Sequence, residues 1–94
     1  MITLDEGNML LKPSQRRQLM TWLKRTMRLG ERLGDFVLSI TLKRTGRIVQ
    51  IEADVATRRG SVVFGIRQHD WRHAAREIVR RLTVHLHDQL IQPM

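Results

Sequence analysis

The chain has no cysteine and no tyrosine, only two phenylalanines and two tryptophans, and serine only at 14, 39 and 61. The missing cysteine excludes disulfides, thiolate nucleophiles and any zinc site built on sulfur. A glycine-rich phosphate loop and a G-x-S-x-G nucleophile elbow are also missing. No long apolar run follows the start, MITLDEGNMLLKP, which carries acids where a secretion signal needs bases. Secretion and membrane insertion are therefore not expected, and the cytoplasm is the expected compartment. At 94 residues there is room for one core, so residues 1–94 are expected to form a single domain. Hydrophobic residues make up 41% of the chain, enough to bury a core rather than leave it disordered.

Acids are scarce too: nine, against 17 Lys plus Arg, which leaves a net charge of +8 and a pI near 11.6. Such an excess points to a polyanionic partner. Lysine is rare among the bases, occurring only at 12, 24 and 43; the other 14 are arginine. Arginine grips a phosphate with two bonds and stacks on a base, although a GC-rich genome also raises its share.

The hydrophobic pattern predicts six elements in the order β-α-β-β-β-α. Met1 to Leu4 reads as an edge strand, followed by a turn at Asp5 to Asn8. Pro13 and Ser14 mark a helix start, with Ser14 as cap, and the helical period runs to about Leu29 with Gly30 as its stop. Leu19, Met20, Trp22, Leu23, Met27 and Leu29 share one arc. Arg17, Lys24 and Arg28 share the opposite arc, within about 40° of one another. After Gly34 the period becomes two: Phe36, Leu38, Ile40 and Leu42, then Val49, Ile51, Ala53 and Val55, then a strand from Val62 to Ile66. Turns fall at Thr45-Gly46 and at Arg58, Arg59 and Gly60, which gives an antiparallel meander. Asp70 reads as the cap of a last helix that ends before Pro93. Its apolar arc is Trp71, Ala75, Ile78, Val79, Leu82 and Leu86, with Ala74 at the edge. The expected fold class is α+β, a β-α-β-β-β-α sandwich with an antiparallel or mixed sheet and both helices on one face, close to a double-stranded-RNA-binding domain.

Catalysis has little to stand on. Glu52 and Asp54 share a strand face that solvent reaches, which is a poor place to tune an acid/base pair. His69 and His73 lie four apart, and His85 and His87 two apart, but no third ligand accompanies either pair, so no metal is expected. Trp22 and Trp71 sit on apolar arcs and read as core rather than as base-stacking platforms. The sheet lacks the paired aromatics of an RRM.

The bases are the constellation that remains. Lys12 to Arg32 carries seven bases and one acid; Asp35 to Arg67 carries six and three, largely at turns through Lys43, Arg44, Arg47, Arg58 and Arg59. On the last helix Arg72, Arg76 and Arg80 step by four, and His87 continues the stripe. A merely solvated face mixes both signs, and the first helix does not. Polyanion binding along the outer helix surfaces follows.

The stretch from Ser61 to Leu86, SVVFGIRQHDWRHAAREIVRRLTVHL, resembles the closing strand and helix of the bacterial hibernation-promoting factor and RaiA group, translation inhibitors also described as sigma-54 modulation proteins. Asp70, Trp71, Ala74, Arg81, Leu82 and Leu86 occupy the matching places, and element order and length resemble the short members. The resemblance implies a non-catalytic stress or hibernation factor that lodges between head and body of the small ribosomal subunit. It would contact ribosomal RNA and exclude tRNA and mRNA. The residues expected to make contact are Arg17, Lys24, Arg28, Arg44, Arg47, Arg72, Arg76, Arg80 and Arg81. Only Arg81 matches a basic position of the group; the others are assigned by helical geometry and turn position. The group ends its last helix with lysines, where this chain has His85, His87, Asp88 and Gln89. Without the extension that dimerises long members, a monomer is expected, with no cofactor, no small-molecule substrate and no membrane partner. The competing readings are a generic double-stranded RNA-binding module and an interaction subunit whose basic face meets an acidic protein.

Overall fold

The computed structural model describes residues 2–32, 34–58 and 60–91. Within these lie strand β1 (Ile2–Asp5), helix α1 (Pro13–Glu31), strands β2 (Phe36–Thr45), β3 (Ile48–Thr57) and β4 (Gly60–Gln68), and helix α2 (Trp71–Ile91). Met1, Arg59 and Pro93, each part of a sequence expectation, lie outside the described residues. No helix among the described residues is long and apolar enough to cross a membrane.

The four strands are ordered β1-β2-β3-β4. β1 runs parallel to β2, because α1 carries the chain back between them. β2–β3 and β3–β4 are antiparallel, as two hairpins dictate. The sheet is therefore mixed and the order β-α-β-β-β-α is the expected one. Alternation sets the register: Phe36, Leu38, Ile40 and Leu42 lie across from the buried face of β3, where Ile40 opposes Ala53 and Leu42 opposes Ile51. These side chains form one core with Leu19 and Leu23 of α1 and Ala74, Ala75, Ile78, Leu82 and Leu86 of α2. Both helices run antiparallel to β2 and β4, hence parallel to each other, and their N-termini meet the β2–β3 hairpin at one end of the molecule.

Four local expectations are corrected. Lys12, not Ser14, holds the cap position, since Pro13 takes the first helical residue, where its missing N–H costs nothing. The Gln15 carboxamide accepts the Lys12 N–H at 2.9 Å and so closes that end. Gly30 does not stop α1 but lies buried inside it. A Cβ there would meet the Phe36 ring at 2.6 Å, so the glycine permits close packing of helix on strand. Ala74 is fully buried rather than at the edge of its arc. Thr26, a polar residue left off the apolar arc, is fully buried between the helices. Its hydroxyl lies 3.2 Å from that of Thr83, which itself donates to the Val79 carbonyl at 2.8 Å. Thr83 thus has no proton left to give, and Thr26 must be the donor.

Asp70 does cap α2: its carboxylate accepts the Arg72 N–H at 3.3 Å and pairs with His73 at 3.0 Å. The loop after β1 is pinned to the β2–β3 hairpin. The Asn8 carboxamide donates to the Arg44 carbonyl at 2.9 Å and accepts the Arg44 N–H at 2.8 Å. Gly7 makes this approach possible with a φ of +57° and no Cβ, which would otherwise strike the Leu42 carbonyl.

Candidate nucleic-acid interface

The core fixes which way each helix presents its bases. On α1 the buried residues are Leu19, Leu23, Thr26 and Gly30, so Arg17, Lys24 and Arg28 stand on the far side, all exposed. On α2 the arginines at 72, 76, 80 and 81 are likewise exposed. Of the nine residues expected to contact a polyanion, Arg81 has an acid partner, the Glu77 carboxylate at 3.1 Å. The other eight make no ion pair among the described residues. Their charge is free to meet an anion.

The structure divides the α2 set. The Arg76 guanidinium sits over the Trp22 ring, 6.0 Å from its centroid, so it bridges to α1. Arg72 borders a cleft with Ser14 and Gln18 of α1. Arg72 and Arg76 thus stand on the α1 side of α2, and with Arg17, Lys24, Arg28 and Arg80 they are exposed on the helix layer. Arg81 lies on the opposite flank of α2 from Arg72, in a groove with Phe64 and Val84 on the β4 side that Arg80 also borders. Arg44 and Arg47 are exposed at the hairpin, and Arg44 joins the N-terminal end of the helix layer beside Trp71.

Two features are not among the sequence expectations. Arg25 is exposed and unpaired among the described residues, and lies three residues after Trp22, one turn along the side of α1 that faces α2. Its signal is the spacing from Trp22, which has meaning only once that ring is known to face the neighbouring helix. The tryptophans themselves are half-buried: each packs on the core with one part and reaches solvent with another.

No metal-binding group of three or more His, Asp or Glu side chains exists among the described residues. His69 precedes α2, and His85 packs edge-on against Phe64 with ring centroids 5.3 Å apart.

Among solved structures, the N-terminal domain of protein Y from Thermus thermophilus superposes with a TM-score of 0.74 over 89% of this chain and 91% of its own, at 21% identity. The fold is that of the protein Y N-terminal domain. A ribosomal subunit interface protein from Coxiella burnetii shares the protein Y fold with a TM-score of 0.68, covering 97% of this chain and 98% of its own at 12% identity. No family model matches the sequence, and no curated protein matches it either. The protein Y fold is therefore carried by element order, register and core, while four residues in five differ from the Thermus domain. The fold implied by the hibernation-factor resemblance is the fold found.

Proposed function

We propose that this chain binds the small ribosomal subunit without catalysis, through the outer surface of its two helices, and inhibits translation as a hibernation or stress factor. One observation carries the reading. On a fold shared with a ribosomal subunit interface protein, one helix layer presents Arg17, Lys24, Arg28, Arg72, Arg76 and Arg80 exposed and without acid partners among the described residues. Unpaired cationic groups on one helix layer match a phosphate backbone, and binding releases the counterions condensed on it. Arg44 and Arg47 extend the surface past the helix N-termini. Arg81, paired with Glu77 on the far flank, belongs to the contact only if the RNA wraps the β4 edge.

Sedimentation with ribosomes tests this. The expected result is co-migration with small subunits or whole ribosomes at low salt, lost at high salt, together with inhibition of translation in a reconstituted system. Binding to free duplex RNA without ribosome association favours a generic duplex-binding module. No RNA affinity at moderate salt favours an acidic protein partner.

A further inference from the structure

We propose that the clefts on either side of Trp71 form a stacking site for an unpaired nucleobase, so that the interface grips single-stranded nucleotides as well as phosphates. This rests on the RNA reading above and adds a ligand class to it. Trp71 opens α2 and stands where three segments converge. On one side it shares a cleft with Ser14, Gln18, Asp70 and Arg72. On the other it shares one with Met9, Leu10 and Arg44. Gln15 borders both, but its carboxamide oxygen is committed to the Lys12 N–H.

The chemistry of these walls fits a base. The indole is half-buried and packs against the core with its covered part, which limits its freedom before any ligand arrives. Leu10, 97% exposed, adds apolar surface beside it with nothing to cover it among the described residues. Gln18 is exposed and its carboxamide is unpartnered among the described residues, leaving a donor and an acceptor for the polar edge of a base. Arg44 and Arg72 flank the ring with guanidinium groups that pair with no acid among the described residues. The acid in the cleft, Asp70, is occupied by the Arg72 N–H and by His73. Trp22, by comparison, already has the Arg76 guanidinium over its ring. A duplex hides the faces of its bases, so Trp71 discriminates for unpaired nucleotides.

The test uses the whole chain labelled with 5-fluorotryptophan, its two resonances assigned with Trp71→Phe. Titration with a short single-stranded oligoadenylate is expected to move the Trp71 resonance by ring-current shielding and to leave Trp22 nearly in place. The same strand annealed to oligouridylate is expected to move neither. Trp71→Leu is expected to weaken single-strand affinity by about 5-fold to about 150-fold, the span of base–aromatic stacking, with an unchanged salt slope because stacking releases no counterions. Trp71→Phe is expected to keep most of the affinity. Salt-dependent RNA binding with an unmoved Trp71 resonance overturns the stacking site and leaves the basic surface standing, as does an equal shift with the duplex. No binding to either probe overturns both readings. Because the resonance is read in protein that keeps Trp71, a poorly folded leucine variant does not blunt the test.

Discussion

The two faces of this small molecule differ in their charge on a shared core. The outer helix surface presents arginines without acid partners among the described residues. The open sheet face presents Asp5, Glu52 and Asp54 in adjoining rows, with Lys43 and Arg67 confined to the hairpin end. Glu52 opposes Thr41 and Gly65, and Asp54 opposes Ser39 and Val63, so neither acid has a base across the ladder. Each face is solvated, and each satisfies the same periodic pattern of one apolar side and one polar side. Solvation alone therefore does not explain why the signs separate. The proposed polyanion on the helices would account for it, because acids there would oppose it and acids behind the sheet would be screened from it.

The core that holds the two faces apart is the most sensitive part of the molecule. Leu82→Ala empties a fully buried site beneath both layers and is expected to cost about 2–5 kcal/mol in urea unfolding, with RNA binding lost alongside. A variant that stays as stable as the parent shows that α2 is not held through this residue. Gly30→Val comes next: its side chain meets the Phe36 ring and is expected to cost about 1–3 kcal/mol by overpacking, read as a lowered Tm.

The charge contrast itself is sharpened by changing Arg72, Arg76 and Arg80 together to Gln. Folding is expected to hold, since all three are exposed, while the salt slope of RNA binding falls by roughly two, at about 0.7–0.9 for each phosphate contact. An unchanged slope removes the α2 stripe from the interface. Thr26→Val is milder, at about 0.5–1.5 kcal/mol, because Thr83 keeps its bond to the Val79 carbonyl and only the interhelical bond disappears.

Part of this contrast is legible in the order of amino acids alone. The alternation from Phe36 to Val55 dictates both the strands and their buried face, since the side-chain period of a strand leaves no other solution. Helical wheels place Arg17, Lys24 and Arg28 outside for the same reason. What a wheel does not contain is which flank of α2 meets α1. That depends on the parallel β1–β2 pairing and the crossover through α1, a long-range feature with no local signature. Arg81, which joins the expected set through the resemblance and not through the stripe, lies on the other flank of the helix from Arg72. Gly30 misleads for a kindred reason: its role is set by Phe36, a residue on the next element, and a glycine near a helix end looks locally like a stop. The tryptophans keep the apolar positions expected of them, yet position on an arc does not say how much of a large ring the core can cover.

The acids of the sheet face are expected to matter least to stability and to RNA affinity. Glu52→Gln with Asp54→Asn removes two charges from the open face without touching the core. Both residues are exposed and unpaired among the described residues, so stability should stay within about 0.5 kcal/mol of the parent. The sheet and the helix layer together separate these acids from the arginine surface by more than a Debye length, which is about 8 Å at physiological salt. RNA affinity should accordingly change by less than about two-fold, with an unchanged salt slope. A large gain in affinity means that RNA touches the sheet as well. The separation of signs then marks a molecule wrapped by its partner, with the acids limiting how tightly it is held, rather than one that lies against its partner on a single face.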